Sequence, residues 1–132
     1  MSNKTRGCNY ERQLVDLLYS RGFATVRVAG SGARSIPSPD IVACRKGKIL
    51  AIECKTSRRN QVYISEDQIK NLVGYSQAAG AEALVAVKFR QREWYFVHAS
   101  EIPRTNGSHL VLSKDTAAQK GLTLEDLELL FK

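Results

Sequence analysis

Two apolar runs joined by a short basic link constrain the fold of this chain more than any other feature. A glycine in a short link between strand-like runs is typical of a tight β-hairpin turn. With Lys46 and Gly47 at the centre of the turn, the pairing register sets Asp40 opposite Glu53. The sequence therefore predicts a hairpin over 40–55 that carries one acid on each strand at the same level. The two runs are Ile41–Cys44 and Ile49–Ile52, and the link is Arg45–Lys48.

Asp40, Glu53 and Lys55 form the candidate functional cluster. Cross-strand partners have Cβ atoms about 5 Å apart, a spacing at which two carboxylates can share one divalent cation. Side chains alternate along a strand, so Glu53 and Lys55 point to one face and Cys54 to the other. The alternative is that Asp40 caps local backbone while Glu53 and Lys55 form a surface ion pair. This alternative leaves the register of Asp40 unexplained, so we interpret the cluster as a functional site.

The net charge predicts a polyanionic partner. The 132 residues contain 20 Lys and Arg against 13 Asp and Glu, which gives a formal net charge of +7. Such an excess is typical of nucleic-acid-binding domains. A merely solvated basic surface is the alternative, but many basic residues lie in the first half, around the candidate acids. The length suits a single domain over 1–132, with residues 1–8 as a flexible basic arm.

The cysteine and apolar patterns indicate the cellular compartment. Three cysteines, with no Cys-x-x-Cys pair and no histidine cluster, indicate neither a disulfide framework nor a zinc site. No apolar stretch reaches transmembrane length, and the N-terminus lacks a signal-peptide core. We therefore expect a cytoplasmic protein with no membrane partner.

Periodicity and capping residues predict a mixed sheet with helices on its faces, an α/β protein. Segments 56–60 and 100–121 are interpreted as a polar connection and an unassigned stretch. The predicted elements are a helix over 9–21, a strand over 23–29, a loop over 30–39, the hairpin, a helix capped by Ser65 and Gln68 and ending near Gly80, strands over 83–88 and 93–98, and a last helix capped by Thr123.

The motif Pro39-Asp40, a spacer and Glu53-Cys54-Lys55 resembles the signature of PD-(D/E)XK nucleases. With Gly7, Glu11-Arg12 and the segment Arg27–Ser31, the chain is similar to the archaeal Holliday junction resolvases of the Hjc type. The resemblance runs from the N-terminal segment through the second helix. It implies a restriction-endonuclease-like α/β fold, a homodimer, and Mg²⁺-dependent endonuclease cleavage that resolves four-way DNA junctions.

The resemblance also implies roles for individual residues. It assigns metal binding to Glu11, Asp40 and Glu53, and catalytic roles to these acids, Lys55 and Ser31. On the sequence pattern alone, Glu11 is a solvated helix residue and Ser31 a turn residue. The loop over 32–38 departs from the family because it holds only one basic residue. The arginines expected at DNA phosphates are Arg6, Arg12, Arg27, Arg34, Arg58 and Arg59.

Two other classes compete with a junction resolvase. One is a repair or restriction-like endonuclease built on the same core, although 132 residues leave little room for an added recognition segment. The other is a non-catalytic DNA-binding module. For the dimer face, the apolar residues Ile69 and Leu72 or the strand of Trp94 are the candidates. The number of metal ions, the cut positions and any recombination or replication-clamp partner cannot be read from the sequence.

Overall fold

The computed structural model describes residues 3–30, 36–105, 107 and 109–132. This part of the chain contains seven strands, four helices and one short 3-10 turn over Ala99–Glu101. The elements in chain order are α1 (Asn3–Ser20), β1 (Ala24–Arg27), β2 (Ile41–Arg45), β3 (Lys48–Ser57), β4 (Gln61–Ser65), α2 (Glu66–Ala79), β5 (Glu82–Phe89), β6 (Trp94–His98), β7 (His109–Ser113), α3 (Lys114–Lys120) and α4 (Leu124–Leu130).

A five-stranded mixed sheet organises the fold, in the order β1-β2-β3-β5-β6. β3 and β5 run parallel, and the other neighbours are antiparallel. The parallel pair needs a crossover, which β4 and α2 supply. β4 leaves the main sheet and pairs with β7 in a separate two-stranded sheet. The predicted α/β class with a mixed sheet is therefore confirmed.

Each face of the main sheet buries its own apolar layer. On one face, α1 and α4 pack against the sheet through residues such as Leu14, Leu18 and Leu127, all fully buried. On the other face, α2, α3 and the small sheet cover Val85 and Val87. The middle of β3 is covered on both faces, and its half-buried end continues from this fixed segment along β5, where it presents side chains.

The predicted hairpin and its register are confirmed for the five pairs between β2 and β3, whereas Asp40 and Glu53 lie just beyond the last pair. Arg45 pairs with Lys48 and Ile41 pairs with Ile52. Lys46 and Gly47 have φ of 50° and 83°, the left-handed values that a tight two-residue hairpin turn requires. Glycine has no side chain and adopts a positive φ without steric cost, so Gly47 suits the second central position of the turn.

The predicted caps of α2 and α4 are also confirmed. The Gln68 backbone N–H donates to Ser65 Oγ, and the Ser65 N–H donates to Gln68 Oε1. Each hydrogen bond is 3.1 Å long. Gln68 is thus committed to the cap. Thr123 and Asp126 form the same reciprocal pair at the start of α4.

Several boundaries differ from the predictions. α1 begins at Asn3, so residues 3–8 are helical where an arm was expected, because a polar helical turn carries no apolar period to reveal it. β3 runs to Ser57. β4, β7 and α3 were not predicted, since β4 and β7 are short and pair across a long separation in sequence.

A dimer face on α2 or on β6, an edge strand of the main sheet, stays a prediction, but the three side chains named for it are buried within the chain itself. Ile69 and Leu72 are 6% and 2% exposed and pack under the small sheet. Trp94 is 5% exposed and packs in the layer beneath α1. Apolar periodicity marks a buried face without showing whether the same chain or a partner covers it. No helix within the described part of the chain combines the length and apolar character that crossing a bilayer requires.

Replacing Ser65 with alanine tests the cap that starts α2. Loss of an N-cap side chain costs about 1 kcal/mol of the free energy of unfolding, which lowers the Tm of a domain of this size by about 4 °C. Thermal unfolding followed by circular dichroism measures the change. Ser100→Ala, at an exposed serine of the 3-10 turn, is the control and should leave Tm unchanged. Equal Tm values for S65A and the wild type would contradict the cap.

Candidate active site

The hairpin holds Asp40 and Glu53 side by side. Asp40 directly precedes Ile41, whose pairing with Ile52 is the last of the hairpin, and a hydrogen bond between the carboxyl groups of Asp40 and Glu53 shows that the two lie together. Two backbone contacts fix Asp40 there: the Asp40 N–H donates to the Ile52 carbonyl over 3.0 Å, and the Cys54 N–H donates to Asp40 Oδ2 over 2.8 Å. Asp40 is only 9% exposed. Its carboxylate is therefore anchored beside Glu53 by the backbone of β3, just beyond the last residue pair of the hairpin.

The proximity of the two acids changes the ionisation of Glu53. Burial, then the negative charge of Asp40 and a hydrogen bond between the two carboxyl groups, raises the pKa of Glu53 to about 8. The nearby charge of Lys55 acts in the opposite direction, but it is too weak to cancel these effects. Crowded carboxyl groups in a partly desolvated site hold a proton in this way. The site is therefore short of positive charge when it contains protein groups alone.

Glu11 of α1 stands next to this pair. Burial raises its pKa, and the charge of Asp40 adds to the effect, which shows that the two carboxyl groups are close. Arg27 Nη1 donates to Glu11 Oε1 over 3.4 Å and works against the rise. Both side chains are largely buried, at 18% exposure for Glu11 and 20% for Arg27. Arg27, expected at DNA phosphates, thus contacts an acid of the site.

The alternation of β3 separates the polar site from the core. Leu50, Ile52 and Cys54 pack toward α1, and Ala51 packs on the opposite face. Glu53 and Lys55 follow Ala51 at two-residue spacing and share its face. Burial raises the pKa of the Cys54 thiol well above its ordinary value, with Asp40, Glu11 and Glu53 adding to the rise. Cys54 is therefore a neutral packing residue.

Two depressions flank the end of β3 beyond Glu53. The larger, of about 380 Å³, is lined by Lys55 and Arg59 and by the exposed ring of Tyr63 on β4. The smaller, of about 80 Å³, is lined by Arg58 and by Lys88 of β5. Thr56 and Ser57 border both. Arg58 and Arg59, which were predicted to contact phosphates, thus line depressions at the end of the strand that carries Glu53.

Of the four remaining predicted site residues, the structure describes the side chain of one. Arg12 is exposed on α1, and its charge acts on Glu11. Ser31, Arg34 and the side chain of Arg6 lie outside the described residues.

Lys88 and Tyr63 were missed as site residues by the sequence analysis. Lys88 lies beside Thr56 in the sheet, and its Nζ is 5.6 Å from the ring centres of both Tyr10 and Trp94. A charged residue in the apolar strand β5 was a usable signal, the same one that drew attention to Glu53. Tyr63 gave no such signal, because β4 itself was not predicted.

The chemistry of the donor set fits a hard divalent cation. Mg²⁺ binds through one or two carboxylates and keeps several waters. Asp40 and Glu53 offer such a pair, and the raised pKa of Glu53 reflects the positive charge that the pair lacks. Among the described residues, no three acidic, histidine or cysteine side chains already stand in a metal-binding arrangement. Asp40 and Glu53 are thus the main candidate ligands, with Glu11 beside them.

A mixed sheet flanked by helices, with two acids and a lysine at a hairpin end, defines the PD-(D/E)XK nuclease class. Within this class, residues 2–131 match the family model for the archaeal Holliday junction resolvase (hjc). The chain belongs to this family.

Individual relatives agree with the family assignment. The chain is 41% identical over 102 residues to the crossover junction endodeoxyribonuclease Hjc of Archaeoglobus fulgidus, covering 77% of this chain and 75% of the relative. The Hjc enzyme of Sulfurisphaera tokodaii is 34% identical over 128 residues, covering 96% and 88%. The solved structure of Archaeoglobus fulgidus Hjc superposes with a TM-score of 0.84 at 33% identity, covering 93% of this chain and 95% of that one.

Glu53→Gln tests the charge crowding without any DNA. The folded protein binds the Glu53 proton more tightly than the unfolded chain, so stability falls as pH rises from about 4.5 to about 8. Glutamine is neutral like the protonated acid, so the variant should not lose this stability as the pH rises. In a chelator, the variant should match the wild type near pH 4.5 and exceed its Tm by about 5 °C or more at pH 8.5.

Thermal unfolding at the two pH values gives the comparison. Glu101→Gln, at an exposed glutamate, is the control and should behave alike at both. A Tm difference between E53Q and the wild type that is the same at both pH values would show that the Glu53 carboxyl titrates normally.

Proposed function

We propose that this protein is a structure-selective endonuclease that resolves four-way DNA junctions by paired, metal-dependent hydrolysis of phosphodiester bonds. The observation that carries the proposal is the Asp40–Glu53 pair, with Lys55 on the same strand face, in a member of the resolvase family. The names of the relatives, crossover junction endodeoxyribonucleases, support the choice of substrate.

Mg²⁺ is the proposed cofactor, held by Asp40 and Glu53 with Glu11 beside them. When bound, it supplies positive charge to the scissile phosphate and makes a bound water more acidic. Arg27 is a positioning residue in this scheme, because its contact holds the Glu11 carboxylate next to Asp40. These roles rest on the carboxylate chemistry and on the family resemblance.

Lys55 is the proposed catalytic lysine. It lines the larger depression and lies two residues beyond Glu53 on a rigid strand. Its ammonium group would orient the attacking water and stabilise the negative charge that develops on the phosphate. Attack of the water oxygen on phosphorus breaks the bond to the 3′ oxygen and leaves a 5′-phosphate and a 3′-hydroxyl.

Basic side chains around the site would bind the DNA backbone without reading bases. Arg58, Arg59 and Lys88 border the depressions at the end of β3. Contacts of this kind release counterions, so affinity should fall steeply as salt rises. Junction choice would then come from shape, which a two-fold homodimer can match with one active site per cut strand. A DNA substrate is consistent with the expected cytoplasmic location.

Asp40→Asn and Glu53→Gln test the reaction and the metal assignment together. Each removes a carboxylate charge while keeping the side-chain shape, so each should lower junction cleavage at least about 10³-fold. Binding to the junction should persist, because the phosphate contacts are untouched. The measurement is cleavage of a mobile and a fixed four-way junction, with a duplex and a flap alongside, in Mg²⁺ and in a chelator.

The wild type should cut opposing strands of the junction symmetrically and only with metal. Glu101→Gln serves as the unaffected control. Undiminished cleavage by both D40N and E53Q would refute the carboxylate assignment. Preferential cutting of the duplex or flap would instead favour a repair or restriction-like endonuclease.

A further inference from the structure

An exposed aromatic ring stands in the groove beside Lys55, and the proposed hydrolysis does not use it. Tyr63 is 56% exposed, whereas its neighbours Val62 and Ile64 are 4% and 0% exposed. The alternation of β4 sends the two neighbours into the core and the tyrosine outward. The exposure of Tyr63 is therefore built into the strand.

A hydrogen bond holds the tyrosine at its polar end. Gln61 Nε2 donates to Tyr63 Oη over 2.7 Å, from a residue that lies on the same face of the strand. β4 is itself paired with β7, where Tyr63 lies opposite Val111. An aromatic side chain that is already held in place loses little conformational entropy when a ligand covers it.

The charge of the surrounding groove favours a nucleic acid as the ligand. Lys55 and Arg59 line the same groove as Tyr63, and its described lining contains no acidic residue. Cations suit phosphates, and a flat exposed ring suits the face of a base. Since Lys55 is the proposed catalytic lysine, a base that contacts Tyr63 would lie close to the phosphate that is cut.

We propose that Tyr63 stacks on a nucleobase at the branch point of the junction and so helps the enzyme to distinguish branched from continuous DNA. This inference rests on the proposed function. In a continuous duplex both faces of every inner base pair are covered by neighbouring pairs. At a branch point the last pair of an arm can expose one face. Tyr63 can therefore gain a stacking contact on a junction that it cannot gain within a duplex.

Tyr63→Ala and Tyr63→Leu remove the ring, and Tyr63→Phe keeps it. The test is fluorescence anisotropy with a fixed four-way junction and with a duplex of the same sequence, both in a chelator so that no cleavage occurs. The loss of one base–aromatic stack should weaken junction binding by Y63A and Y63L about 5- to 100-fold. Duplex binding should stay within about twofold, and Y63F, which keeps the ring but loses the contact with Gln61, should retain most of the junction affinity of the wild type.

Tyr19→Ala is the matched control, because Tyr19 is 69% exposed on α1 and does not line this groove. It should leave both affinities unchanged. Equal losses on junction and duplex, or no loss on either, would overturn the inference. Analytical ultracentrifugation gives the molecular mass of the assembly. A mass for Y63A and Y63L that differs from that of the wild type would also overturn the inference, because Tyr63 would then belong to a contact between subunits.

The failure of this inference can be told apart from failure of the proposed function. The binding comparison needs no metal and no turnover, whereas cleavage by the wild type in Mg²⁺ tests the reaction alone. A wild type that cuts junctions, together with an unchanged Y63A, rejects only the role of Tyr63.

Discussion

The pairing of two carboxyl groups across one hairpin is the interaction on which the site depends. The hairpin ends at the Ile41–Ile52 pair, and the next residue, Asp40, is held beside Glu53 by its backbone contact with Ile52 and by the Cys54 N–H. Two acids this close in a half-buried site repel each other unless a proton or a cation intervenes. The crowded carboxyl groups therefore lower the free energy of unfolding near neutral pH. Such a local cost is typical of functional sites.

The surrounding elements keep this unfavourable arrangement in place. β3 is central in the sheet, and its end from Glu53 to Ser57 stays paired with β5, which keeps that end in place beyond the last β2 pair. α1 adds Glu11 from the next layer, and the contact with Arg27 keeps that acid close to Asp40. β4 then forms one side of the groove that Lys55 and Tyr63 line together. Core packing and site geometry therefore have the same structural origin.

Sequence reasoning succeeded where the determinants are local. The Lys46-Gly47 turn fixed the hairpin register, and the caps at Ser65 and Thr123 set the starts of two helices. It failed where structure depends on distant partners. β4 acquires its partner β7 from the far end of the chain, so neither the strand nor the position of Tyr63 was visible. The approach of Glu11 to Asp40 came only from family resemblance, because helix packing is not encoded in the local pattern.

The most direct test of this account is the pKa of the Glu53 carboxyl, measured by carbon-detected NMR on glutamate-labelled protein with Glu53→Gln to assign the signal. Without metal, the pKa of Glu53 should be about 8, far above that of an ordinary glutamate. With saturating Mg²⁺, this pKa should show a large fall, because the cation replaces the proton between the two acids. An ordinary pKa without metal, or a value that Mg²⁺ does not move, would contradict the claim that this pair is a cation site.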